Sequence, residues 1–193
     1  MAPLVYRAPV AIGLFHATVL VWWISELRIM VRNRGGTGEN LDSGSRLWVV
    51  GLVALGTAAA FGVAWQRFGR IDGWWPVAAG LGLAGAGVAV RAWSVASLGA
   101  FFTTAVEVQR DHRIVESGPY RLLRHPSYTG ALLTVAGVTL ALCNWLGCLV
   151  ATLCTLMGLV QRIVVEERAL STRLGPAWEA FARRRRRLLP LVW

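Results

Sequence analysis

The sequence predicts an all-α integral membrane protein, and three observations carry that prediction. Hydrophobic residues make up 55% of the 193 and charged residues only 16%, against about 25% charged in ordinary soluble domains. Uncharged stretches recur at the length a helix needs to cross a bilayer. Ten tryptophans are present, a residue that favours the membrane–water boundary. The length suits a single domain over residues 1–193.

A hydrocarbon core of about 30 Å takes roughly 20 apolar residues of helix. Ala8 to Ser25, Leu47 to Trp65 and Trp74 to Val90 each lack a formal charge, which predicts spans over 8–28, 47–66 and 74–96. The small residues of "AAGLGLAGAG", Ala78 to Gly87, suit close helix packing in lipid. A further uncharged stretch runs from Ser127 to Gln161. As one helix it would be about 50 Å long, too long for a single crossing. Asn and Gly in "CNWLG", Cys143 to Gly147, favour a turn there. The stretch therefore reads as a hairpin of two helices, 127–143 and 145–165, giving about five transmembrane helices. Beyond Glu167, Pro176 suits the first position of a helix. Trp178 and Phe181 share one face and Arg183 to Arg187 follow, which predicts an interfacial helix over 176–188 lying on anionic lipid.

The net charge is +10, all of it arginine. It sits between apolar spans, so it reads as a determinant of orientation and not as a nucleic-acid surface. Arg32, Arg34 and Arg46, then Arg110, Arg113, Arg121 and Arg124, then the arginine-rich tail fall on one side of a five-span chain. Arg7, Arg67 and Arg70 fall on the other. The positive-inside rule places the N-terminus outside and the C-terminus in the cytoplasm. Cys143, Cys148 and Cys154 lie within one apolar stretch without ligand spacing and read as buried small hydrophobes. No metal site is expected. The N-terminal segment, with Arg7 alone ahead of a full-length apolar run, does not read as a cleavable signal.

Two polar islands interrupt the apolar sequence. The first, "HRIVESGPYRLLRHPSYTG" (His112 to Gly130), ends in a Pro-initiated helix; the second, "QRIVVEERAL", spans Gln161 to Leu170. A hairpin returns both to one side of the membrane. Arg162 and Glu166, four apart, share a helix face. The residues by themselves fit two readings. Arginine, glutamate and tyrosine at span ends serve as interfacial anchors, with His125 a structural histidine. Alternatively, the two islands close over a small polar molecule at the bilayer edge.

The spelling "SGPYRLLRHPSYTG", with "RIVVEERALSTRLGPAWEAFARRRRRLLP" after the hairpin, resembles the isoprenylcysteine carboxyl methyltransferase family, within the group that includes phospholipid methyltransferases. The resemblance covers roughly Leu98 to Pro190. It implies an integral-membrane enzyme that moves a methyl group from S-adenosylmethionine to a lipophilic acceptor. It also implies that His112, Arg113, Ile114, Val115, Tyr120, His125, Pro126, Ser127, Tyr128 and Glu166 hold the cofactor. Arg162 would orient the acceptor's polar end as the catalytic residue, and no metal is implied. An isoprenylcysteine-type or other lipid-linked carboxylate is the implied acceptor. A phenolic lipid or thiol is an alternative, for which Glu167 or His125 would be candidate bases. With five spans the chain resembles compact prokaryotic members, which implies a prokaryotic inner or plasma membrane; no oligomeric state is implied. Two other classes stand beside this one: a nicotinamide-dependent membrane reductase of the sterol reductase type, and a non-catalytic adaptor using Arg183 to Arg187 on anionic lipid.

Overall fold

The computed structural model describes residues 2–33, 39–40, 44–103, 107–108 and 114–188. Helices dominate them, as expected: α1 (Pro9–Arg32), α2 (Ser45–Ala64), α3 (Trp75–Leu98), α4 (Pro126–Leu140), α5 (Trp145–Leu174) and α6 (Pro176–Arg183). One two-residue antiparallel pairing, β1 (Glu39–Asn40) with β2 (Glu107–Val108), joins the loops after α1 and α3. Among the described residues four helices are long and apolar enough to cross a membrane: α1, α2, α3 with the short turn that continues it to Phe101, and α5. The fourth helix in the chain, α4, has 15 residues and so spans only about 22 Å. Protein surrounds much of it: Thr134, Val135, Val138 and Thr139 are all buried.

Two close helix pairs, α3–α4 and α2–α5, form the body, and the α4–α5 hairpin joins them. Glycine sets the spacing of the first pair. A Cβ added at Gly137 would come within 2.3 Å of the Ala84 backbone nitrogen, and one at Gly87 within 2.5 Å of that of Thr134. No larger side chain fits such backbone-to-backbone contact, which is the packing that the Ala78–Gly87 run predicts. Across the second pair, Gly56 meets Ala151 and Gly147 meets Ala60. The first helix, α1, packs on α3 and buries only Ala11 and Phe15.

The hairpin turns at residues 141–144, slightly ahead of the expected position. Cys143 takes a left-handed φ of 57°. Asn144 then caps α5, its side-chain oxygen accepting from the Gly147 amide at 3.0 Å, as N-cap asparagines do. The Asn144 amide group donates to the Phe68 carbonyl at 2.8 Å and the Val63 carbonyl at 3.2 Å. That ties the hairpin tip to the end of α2. Gly147, expected in the turn, lies inside α5 instead.

The C-terminal segment differs from the interfacial helix expected over 176–188. The helix stops at Arg183, and Trp178 and Phe181 turn inward, 7% and 5% exposed. Residues 184–188 then run as a strap along the loop before α4. The Arg124 and His125 amides donate to the Arg186 and Arg187 carbonyls at 2.8 and 3.0 Å, and the Thr129 hydroxyl donates to the Leu188 carbonyl at 2.7 Å. Unpaired amides of a buried loop need acceptors, and the strap supplies them. Two arginines of the expected lipid-facing run are drawn in with it: Arg185 pairs with Glu116 at 2.7 Å and Arg187 with Glu167 at 2.9 Å.

Candidate active site

Pro126 occupies the first position of α4 and His125 precedes it. The fixed φ of proline suits a helix start. This places Ser127 and Tyr128 on the first turn, with Tyr128 facing α5 and Ser127 facing α3. The long α5 carries Arg162 and, one turn later, the adjacent Glu166 and Glu167 on continuous helix, so their relative directions follow from its periodicity.

The Tyr128 hydroxyl is the meeting point. It donates to Glu166 Oε2 at 2.5 Å and accepts from Arg162 Nε at 2.8 Å. Arg162 is 6% exposed, and its Nη1 donates to Ser45 Oγ, at the start of α2, at 3.2 Å. The His125 ring stacks on Tyr128 at 5.5 Å between centroids and 9° between planes. Tyr120, on the Gly118–Arg121 turn, is buried as well. Burial, reinforced by the neighbouring Glu166 carboxylate, raises the Tyr120 hydroxyl above its ordinary pKa. It therefore stays protonated and able to donate at neutral pH.

Glu167 faces the other way. Its Oε1 accepts from Arg124 Nη1 at 3.0 Å and from His125 Nε2 at 3.2 Å; its Oε2 accepts from Arg187 Nη2 at 2.9 Å. The carboxylate is thus the hub of three cationic or N–H donors that join the loop before α4 to the C-terminal strap. A base needs a free lone pair directed at the reacting group, and Glu167 spends its lone pairs on this junction. His125 spends its Nε2 on Glu167.

A single cavity of about 640 Å³ connects these residues to the membrane helices, within the size range of small-molecule sites. At its polar end Ile114, Val115, Tyr120, His125, Ser127, Tyr128, Arg162 and Glu166 all line it, with Trp178 and Phe181 of α6. Its other walls are apolar: Val19, Trp22 and Trp23 of α1, Val49 and Val53 of α2, Val135 of α4. Of the residues the sequence singled out, Pro126 is buried at the helix start and does not line the cavity. His112 and Arg113 lie outside the described residues. Among the described residues no group of three or more His, Cys, Asp and Glu is placed to hold a metal ion.

Sequence reasoning passed over two residues in the cavity wall, Glu26 of α1 and Arg91 of α3. They form a two-pronged ion pair: Arg91 Nη2 donates to Glu26 Oε2 at 2.8 Å and Arg91 Nε donates to Glu26 Oε1. Arg91 Nη1 also donates to Ser127 Oγ at 3.0 Å. The signal was present, since span 8–28 carries Glu26 beside Arg28 and span 74–96 carries Arg91. Ionisable residues inside spans mark functional sites by default.

Comparison with known proteins converges on the same part of the chain. The isoprenylcysteine carboxyl methyltransferase (ICMT) family profile matches residues 80–172. A probable protein-S-isoprenylcysteine O-methyltransferase of Oryza sativa subsp. indica is 31% identical over 121 residues, 62% of this chain and 63% of that protein. Protein-S-isoprenylcysteine O-methyltransferase B of Arabidopsis thaliana is 29% identical over 113 residues, 58% of this chain and 57% of that protein. The chain thus spans less than two thirds of the length of these curated relatives. A solved structure of the eukaryotic intramembrane Ras methyltransferase ICMT shares the fold, with a TM-score of 0.62 at 24% identity, over 74% of this chain and 52% of that one. The matched segment holds α4, most of α3 and α5, and all three residues that meet at the Tyr128 hydroxyl; over that segment this multi-pass membrane protein is similar to the isoprenylcysteine carboxyl methyltransferase family, and it shares the fold of the solved ICMT.

Proposed function

We propose that this protein transfers a methyl group from S-adenosylmethionine to the carboxylate of a lipophilic acceptor of the S-prenylcysteine class. The observation that carries the reading is the cavity itself. It runs without interruption from an apolar wall among α1, α2 and α4 to a polar end where Tyr120, Tyr128, Arg162 and Glu166 converge. An amphiphilic acid and a polar cofactor can meet in such a space.

The residues present fit the cofactor. Glu166 offers a carboxylate for an ammonium group, and the aromatic faces of Tyr120, Trp178 and Phe181 suit an adenine or a sulfonium. When bound, S-adenosylmethionine supplies an activated methyl group for in-line displacement. The protein's part is to orient and to exclude water. Arg162, fixed by Tyr128 and Ser45, presents a guanidinium to an anionic oxygen. The acceptor carboxylate is ionised near neutral pH and needs no base, which matches the engagement of Glu167 and His125 elsewhere. The α6 aromatics close the polar end against bulk water, so positioning within it contributes the larger part of the rate.

Purified protein in lipid nanodiscs should transfer labelled methyl from S-adenosylmethionine to S-farnesyl-N-acetylcysteine. Calorimetry should show binding of the cofactor or its demethylated product with chelator present. Absence of methyl transfer to prenylated thioether acids, with cofactor binding intact, would assign the site to a different acceptor. Absence of cofactor binding would overturn the reading.

The arginine distribution supports an outside N-terminus and a cytoplasmic site. In a variant without the three native cysteines, Asp72→Cys, at the 96%-exposed side chain between α2 and α3, should label with an impermeant external reagent. Glu179→Cys on α6 should not. The reverse pattern would invert the topology.

A further inference from the structure

We infer that Glu26, held in place by Arg91, is a second polar contact for the acceptor. It accepts a hydrogen bond from an N–H or O–H group that the acceptor carries near its methyl-accepting carboxylate. This rests on the methyl-transfer reading above and adds a specificity-determining residue to it.

The argument is one of donors and acceptors. Arg91 spends Nε and Nη2 on the two oxygens of Glu26 and Nη1 on the hydroxyl and carbonyl of Ser127, at 3.0 and 3.3 Å. Its fork is nearly saturated, and its side chain is 16% exposed. A carboxylate has about four lone-pair positions, and Arg91 takes one on each Glu26 oxygen. The positions that remain belong to a side chain 32% exposed in the cavity wall. Arg91 therefore positions, and Glu26 faces the occupant.

Location supports the same role. Seven residues separate Arg91 from the end of α3 at Leu98, about 10 Å of helix, so the pair stands within the apolar part of the fold. Joining α1 to α3 alone does not require charge there, because well-packed apolar residues serve as well or better than a buried ion pair. A pair that opens on a cavity also meets its contents. Trp22, Trp23 and Leu27 flank Glu26 on α1 and line the same space, where the acceptor's apolar chain would lie. An occupant with no donor near Glu26 strips water from the carboxylate without replacing it. Sites built around such polar groups discriminate strongly against analogues that lack the matching donor.

Three matched acceptors test this on the unaltered protein: S-farnesyl-N-acetylcysteine, its N-methylated amide, and 3-(farnesylthio)propionate, which has no amide at all. The first should exceed both others by about tenfold in kcat/KM, with most of the difference in KM, as for a contact made equally before and during reaction. Replacing the pair together, Glu26→Leu with Arg91→Leu, leaves no lone charge and should level the three. Equal kcat/KM for the three acceptors in the unaltered protein would overturn the inference. So would a deficit confined to the N-methyl compound, which would be steric. A preference that survives in the double variant would overturn it as well. If the double variant does not fold, the unaltered protein decides. If no acceptor is methylated, the methyl-transfer reading fails, and the same comparison is made on the rise in melting temperature that each compound produces.

Discussion

Glu166→Gln is expected to bind S-adenosylmethionine about tenfold to hundredfold more weakly, because a charge-assisted hydrogen bond is worth about 1.5–3 kcal/mol. The substitution keeps the shape and an oxygen for the Tyr128 hydroxyl, so the fold should persist. Arg162→Ala should behave differently, leaving cofactor affinity nearly intact while abolishing turnover. An anionic acceptor loses its orienting fork, and Arg162→Lys should recover little, since a point charge does not replace planar geometry. Glu166 and Arg162 meet through one hydroxyl, at 2.5 and 2.8 Å. A purely structural network would therefore respond alike to removal of either. Cofactor affinity, methyl-transfer rate and melting temperature measured on the same three variants separate the cases. Parallel losses of all three quantities in Glu166→Gln and Arg162→Ala would make the network structural.

Glu167→Ala should be the most destabilising substitution in the polar islands. It leaves Arg124, Arg187 and the buried His125 without their common acceptor. Breaking a buried pair from one side costs about 3–5 kcal/mol. Arg187 is 35% exposed and partly screened, which argues for the low end, about 3 kcal/mol. For a chain of this length that corresponds to a melting temperature lower by about 6–12 °C. Cofactor affinity should fall with it, because the strap that Glu167 fastens anchors the end of α6, whose Trp178 and Phe181 line the cavity. Replacing Arg187 alone, whose charge faces solvent in part, should cost less. A Glu167→Ala protein that melts at the parent temperature would show that the strap is held by its backbone hydrogen bonds alone.

Much of the fold was legible because membrane helices obey a local rule. Apolar length, Pro at a helix start and Asn at a cap act over a few residues, so α1, α2, α3 and the α4–α5 hairpin could be read from the chain. The small-residue run on α3 also foretold a close helix contact, since only small residues allow backbones to touch, and the structure makes α4 the partner. The strap could not be read in this way. "RRRRR" has the composition of a lipid-facing run. Whether Arg185 and Arg187 reach lipid or Glu116 and Glu167 depends on carboxylates far away in sequence.

By itself, the sequence determined the helical membrane fold and nominated Tyr120, Tyr128, Arg162 and Glu166 through the spelling of two islands. Tertiary structure alone decided that Arg162 and Glu166 share the Tyr128 hydroxyl, that Glu167 faces away from the cavity, and that Glu26 and Arg91 enter its wall from two separate helices. The physical reason is range. A helix's identity rests on hydrogen bonds four residues apart, whereas an ion pair between residues 65 positions apart exists only once α1 has packed on α3.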